Sequence, residues 1–284
     1  MNIPTESWAI QGFTGICIIG NGPGKSPKPE RDRPCIRFNL GDDEPLSPME
    51  IRISNLRVAR RPHESVLFQI TSPGMRAPDS ERLQHLLTQK ALKLKAELGC
   101  LPSTGLTTIH ACIELGLSLR ILRMPLRPAL LRPPDLAQRK PLAAAFHNWL
   151  GEQRLAWQLI AAHGDRLRWL DMTAKTHKTT GQTRGHLDPY PRIHDWMQVA
   201  ALRGTNAVDQ ASLVELVSSS QFDWYGYANQ ERLRQLEPFL HLDRTSLETP
   251  NWWLYSNSLS TSIDTLLRRL SQAQQLLYLE QAAG

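Results

Sequence analysis

The chain has 284 residues, 41% apolar and 21% charged, with a formal net charge of +6 and a pI near 9.3. Those values fit an ordinary globular chain, either one large domain or one domain with an appendage, and the mild positive charge suits an anionic ligand, a nucleic acid or an anionic membrane surface without choosing among them. No stretch approaches the roughly 18 uninterrupted apolar residues of a membrane span, and the four cysteines (Cys17, Cys35, Cys100, Cys112) form neither a CxxC pair nor a zinc spacing, which argues against a secreted disulfide scaffold.

In chain order, the N-terminal MNIPTESWAIQGF has no basic region followed by an apolar signal core, so a bacterial-type cytoplasmic enzyme is expected. Thr14–Ile19 is a short apolar run ending at Gly20 and predicts a buried first strand. Cys35–Asn39, Met49–Ala59 and Val66–Ile70 predict further strands, with a Gly- and Pro-rich loop between the first two. Leu83, Leu86, Leu87, Ala91 and Leu94 recur at helical spacing, with Asp79 or Ser80 to cap the start and Gly99 to end the helix. A second helix is predicted from Ser103 or Thr104, then a strand over Ser118–Arg123. Strands alternating with helices predict an α/β fold with a mainly parallel sheet flanked by helices.

Residues 124–141 are rich in Pro and Arg, a composition and length typical of a functional loop or linker. Pro141–His163 predicts a helix, and residues 171–185 are polar and without period. Helical patterns return at Pro191–Leu202 and Val208–Ser218, and the chain ends in an amphipathic helix carrying Ile263, Leu266, Leu267, Leu270 and Leu277. The expected organisation is a nucleotide-binding domain over 1–204, with a lid-like insertion over about 124–185, and a helical C-terminal extension over 205–284.

Two short motifs carry the chemistry. The first is IIGNGPGKS at residues 18–26. It is not a P-loop: the position that needs the first glycine holds Ile19, and Pro27 and Pro29 oppose the helix that must follow. It is not a dinucleotide fingerprint either, because the third glycine position holds Lys25. What remains is a strand ending in a tight turn with Asn21 at its tip, where backbone N–H groups and an amide approach a ligand or simply make a turn. The second is Pro102-Ser103-Thr104-Gly105 at a helix start, where hydroxyls and free N–H groups suit a phosphate or serve as a plain cap.

Taken together, IIGNGP, IRFN and PSTGLTTIHACIELG resemble the sialyltransferases, above all the bacterial enzymes of glycosyltransferase family 42; PSTG is also similar to the small sialylmotif of the animal-type family 29. The resemblance covers residues 14–200 in patches and implies a Rossmann-like GT-A variant binding CMP-sugar. It places Gly20, Asn21, Gly22 and Pro23 beside the donor nucleotide, Asn39 near the sugar or ribose, Asn55 as a further donor asparagine, and Ser103, Thr104 and Gly105 around the nucleotide at the helix start. It implies His186, in Gly185-His186, as the general base, with His194 as runner-up, and Tyr190 as the hydroxyl that steadies the leaving phosphate. A neutral imidazole is chemically suited to take an acceptor hydroxyl proton. No Asp-x-Asp metal motif occurs, only the acidic pair Asp42-Asp43, so the implied reaction is an inverting, metal-independent transfer of a sialic acid or Kdo-like sugar to a glycan or glycolipid hydroxyl. Arg123, Arg127, Arg132, Arg139 and Lys140 are candidates to face the acidic donor or an anionic glycolipid, with a peripheral contact at the inner membrane face. The chain departs from those families in its basic, Pro-rich first loop, and residues after about 205 match nothing in them. A non-catalytic nucleotide-binding accessory protein on the same fold is the alternative; nucleic-acid binding has only the net charge in its favour.

Overall fold

The computed structural model describes residues 14–25, 27, 33–39, 46–56, 67–137, 140–173, 187–203, 209–242 and 251–283. The chain forms two compact units: residues 1–97, 101–125 and 159–175 make the first, residues 98–100, 126–158 and 176–284 the second. The sequence pattern places a boundary at 204/205. The structure groups the helix before that point, together with residues 126–158, with the C-terminal helices.

Unit one is built on a six-stranded sheet of β1 (Gly15–Ile19), β2 (Cys35–Phe38), β3 (Glu50–Asn55), β4 (Phe68–Thr71), β5 (Ser118–Leu122) and β6 (Leu167–Trp169), in the order β4-β3-β2-β1-β5-β6. All neighbours are parallel except β3 and β4. The mainly parallel α/β expectation therefore holds, with one antiparallel edge strand.

Parallel strands are usually buried on both faces, and these show it. On one face Ile18 lies level with Ile36 and Ile121, Ile36 with Ile51, and Ile121 with Trp169, all buried. Helix α2 (Thr104–Glu114) packs on β3 and β5 and buries Leu106, Ile109 and Ile113. The opposite face carries Cys17, Ile19 and Cys35 against Leu122, next to an Arg37–Glu50 ion pair of 3.5 Å. All four cysteines are buried, and none is in a disulfide.

Helix α1 (Ala77–Leu98) stops at Gly99, whose φ of 76° suits a residue without a Cβ. The chain leaves β1 toward one side of the sheet and returns, after α1 and α2, to lay β5 on the other side of β1. In sheets of this kind ligands favour the carboxyl ends of the strands around such a reversal.

Unit two is helical. The segment read as one helix over Pro141–His163 is a 3₁₀ turn (Ala143–Phe146) followed by α3 (Trp149–His163). The break falls at Asn148, whose side-chain oxygen accepts from the Gly151 N–H and so starts the new helix. A four-residue α4 (Leu170–Thr173) follows β6 in unit one. Then come α5 (Pro189–Arg203), α6 (Gln210–Ser218), α7 (Gln221–Gly226), α8 (Gln230–Leu236) and α9 (Ser260–Ala283). Trp224, Trp253, Leu213, Leu233, Leu266 and Leu270 are fully buried in its core. The Pro- and Arg-rich stretch is strapped down. Leu130 N–H donates to Asp264 Oδ1 at 2.7 Å, and buried Arg132 donates to Asn257 Oδ1 and to the carbonyls of Lys140 and Ala137.

Candidate functional site

Four adjacent parallel strands of unit one end in a row of polar residues. Across the sheet these are Asn55 closing β3, Asn39 after β2, Asn21 after β1 and Arg123 after β5. The three asparagines are exposed. Hydrogen bonds link the row: Asn21 Nδ2 donates to the Phe38 carbonyl at 3.0 Å, Asn55 N–H donates to Asn39 Oδ1 at 3.1 Å, and Thr104 Oγ1 donates to Asn55 Oδ1 at 2.5 Å. The last bond joins the strand ends to the N-terminus of α2. Each amide uses one end on the protein. Among the described residues Asn21 Oδ1, Asn39 Nδ2 and Asn55 Nδ2 have no partner, which leaves one acceptor and two amide donor groups facing solvent.

The start of α2 adds a positive pole. Ser103 is the N-cap, its hydroxyl accepting from Leu106 N–H at 3.3 Å, while Thr107 N–H turns back to the Ser103 carbonyl. The N–H groups of Thr104 and Gly105 find no acceptor among the described residues. Two free first-turn N–H groups on an 11-residue helix are what an oxyanion can use.

The glycines of the first motif do something other than present N–H groups. Gly20 N–H donates to the Leu122 carbonyl and Gly22 N–H to the Arg123 carbonyl, both at 2.9 Å, so the ends of β1 and β5 zip together. A Cβ on Gly20 would sit 2.4 Å from the Arg123 oxygen, and one on Gly22 2.6 Å from it. Close backbone approach, not a positive φ, fixes these two glycines. Gly105 is crowded in the same way by the Met124 side chain, with Cε 2.7 Å from its would-be Cβ.

Met124 is held in turn by β6 and α4. Its N–H donates to Asp171 Oδ2 at 2.9 Å and its carbonyl accepts from Trp169 Nε1 at 2.7 Å. The 123–125 turn is thus the block against which both motifs rest, a part that Trp169 and Asp171 carry no local sequence signal for. Asn39 (φ 49°) and Arg123 (φ 55°) both take the left-handed conformation unusual for side-chain-bearing residues, at the ends of the strands flanking β1.

The structure therefore brings together Gly20, Asn21, Gly22, Asn39, Asn55, Ser103, Thr104 and Gly105, with Pro23 exposed beside them. Tyr190 belongs to the second unit. It is 3% exposed, its hydroxyl donates to the Trp224 carbonyl at 2.8 Å, and burial pushes its pKa well above the usual tyrosine value. That hydroxyl fastens α5 to α7. His194, on α5, stacks edge-on against Phe239 and has Asp195 Oδ1 3.8 Å from Nδ1. His186, Gly185, Arg139 and Asp42-Asp43 lie outside the described residues.

Unit two contains a buried polar network. Arg154 pairs with Glu237 through two bonds of 2.8 and 3.1 Å, and Asn148 Nδ2 donates to both Glu237 Oε2 and the Leu98 carbonyl. Every member has its partners inside the protein, which is the mark of a structural network. No protein-family model, no curated protein and no solved structure matches the chain.

Proposed function

We propose that this protein is an inverting glycosyltransferase of the GT-A-variant type, moving an acidic sugar of the sialic acid or Kdo kind from a CMP-sugar donor to a hydroxyl of a glycan or glycolipid. The observation that carries the reading is the row Asn55–Asn39–Asn21 at the C-terminal ends of three parallel strands, tied by Thr104 to a helix start with two free N–H groups. Its spare amide donors and acceptor suit a nucleoside and its sugar, and the helix start suits the phosphate. The resemblance of GNGP, IRFN and PSTG to sialyltransferase motifs selects CMP-sugar from the ligands such a rim accommodates.

In this reading the acceptor oxygen attacks the anomeric carbon from the face opposite the phosphate, the carbon–oxygen bond to phosphate breaks, and CMP departs. The acceptor hydroxyl's proton passes to the imidazole of His186, the base given by resemblance. Charge gathering on the leaving phosphate is met by the α2 first turn, without a metal. Transfer takes place at the cytoplasmic face of the inner membrane when the acceptor is a glycolipid.

The alternative is a nucleotide-binding accessory protein that keeps the rim without the chemistry. One observation favours it: Tyr190, the hydroxyl assigned to the leaving group, is buried and committed to Trp224. Turnover of CMP-N-acetylneuraminate and CMP-Kdo, measured as released CMP with wild type and His186→Ala, separates the two. Activity in wild type, lost in the variant with CMP affinity unchanged, supports the transferase. CMP binding without turnover of any CMP-sugar supports the accessory protein, and absence of CMP binding removes both.

A further inference from the structure

Arg123 closes the row of strand-end residues, and it is the only member of that row with a charge: the other three are amides. Its backbone is held in the left-handed region, φ 55°, and its half-buried side chain folds back on the first motif. Nε donates to the Gly22 carbonyl at 2.9 Å and Nη2 to the same oxygen at 2.5 Å. A guanidinium has five N–H donors, so among the described residues these two bonds leave three unused. Gly22 O is neutral, and among the described residues no carboxylate pairs with Arg123. Asp171, in α4 just after β6, accepts instead from the Met124 N–H.

Among the described residues, four other arginines are paired with a carboxylate or tied to several oxygens. Arg154 has Glu237, Arg37 has Glu50, Arg232 has Asp188, and each of the three nitrogens of buried Arg132 donates to an oxygen of the protein. A half-buried cation held in place, strained at its own backbone and left with unused donors, is poised for an anion that arrives from outside. Its position beside Asn21 sets it on the same rim as the asparagines.

We propose that Arg123 is the charge-reading residue of this rim: it pairs with an oxyanion of the bound ligand and makes the site select acidic ligands over neutral ones. The oxyanion is either a phosphate of a nucleotide or the carboxylate of an acidic sugar attached to it. The inference rests on the nucleotide-sugar reading above and adds the residue that discriminates by charge.

The test is calorimetric titration of three probes, cytidine, CMP and CMP-N-acetylneuraminate, into wild type, Arg123→Gln and Arg123→Lys at low and raised salt, without acceptor. Cytidine has no anion and reports whether the rim still forms, since Arg123 also braces Gly22. The expected result is unchanged cytidine affinity in all three proteins, with CMP or CMP-N-acetylneuraminate weakened by about tenfold or more in Arg123→Gln, and recovery in Arg123→Lys, which keeps the charge. The wild-type advantage should shrink as salt rises. Loss already at CMP assigns the phosphate; loss confined to the CMP-sugar assigns the carboxylate. Equal affinities of wild type and Arg123→Gln for both anionic probes overturn this inference and leave the nucleotide reading standing. Equal losses for cytidine and CMP overturn it too, showing a brace and not a charge reader. Failure of wild type to bind any probe overturns the nucleotide reading and this inference with it.

Discussion

The buried network of unit two and the strand-end row of unit one treat polar side chains in opposite ways. Unit two buries Arg154, Glu237, Asn148 and Arg132 and gives each of them partners inside the protein. Unit one holds Asn21, Asn39 and Asn55 at the ends of its strands with half their amide capacity unspent. The buried network has nothing left to offer a ligand, and removing one member strands the rest. The exposed rim costs the fold little and has free donors and acceptors in a fixed row. The contrast teaches that the fully paired buried network marks structure, while unspent hydrogen-bonding capacity at the strand ends marks the candidate site.

The sharpest way to break that comparison is Glu237→Ala. It leaves Arg154 buried without its counter-ion, and a loss of about 3–5 kcal/mol is expected by denaturant unfolding. A loss below ~1 kcal/mol would place the network outside what holds unit two together.

The next effect appears in acid and concerns unit one. His110, on α2, has its pKa lowered to about 4, first by burial and then by Lys90, and its buried Nε2 has no partner among the described residues. A histidine whose folded pKa lies below its unfolded value of 6.5 leaves stability intact above that pH. As pH falls from 6.5 toward about 4 the unfolded chain binds the proton first, and up to about 3 kcal/mol drains away. His110→Gln should flatten this part of the stability–pH curve measured by denaturant unfolding at a series of pH values. An unaltered slope would mean that the imidazole is not what titrates.

The smallest stability change and a clear binding change are expected together for Asn55→Ala. The side chain is exposed, so unfolding should shift by only about 1 kcal/mol, from the bond lost to Thr104. CMP affinity, read by thermal-shift titration, should fall by roughly tenfold. The reverse pattern, a large stability loss with unchanged CMP affinity, would make Asn55 a structural residue like those of unit two.

Much of unit one was legible in the sequence because its signals are local. β1 and β5 are apolar runs next to glycines, α1 shows helical spacing up to Gly99, and Ser103 announces α2 as a cap. Asn21, Ser103 and Thr104 stand out for the same reason, whereas Asn39 and Asn55 enter only through the family resemblance. The sheet order and the antiparallel placing of β4 were not legible, since strand partners are chosen by long-range packing. The three-residue β6 is too short to show a period, yet it supplies the Trp169 that fixes Met124. The break in the helix read over Pro141–His163 was hidden because what pins Asn148 comes from Leu98, Cys100 and Glu237, all far along the chain. The glycines of GNG were legible as a tight turn, but their reason, the carbonyl of Arg123, lies about a hundred residues away.

The central claim, that the ligand seats on the C-terminal rim of the unit-one sheet, is tested most directly by amide hydrogen exchange with and without saturating CMP. Protection is predicted in the segments that hold residues 19–23, 38–39, 55 and 103–106, with the helices α6 to α9 unchanged. Protection confined to those helices, or none at all, would contradict it.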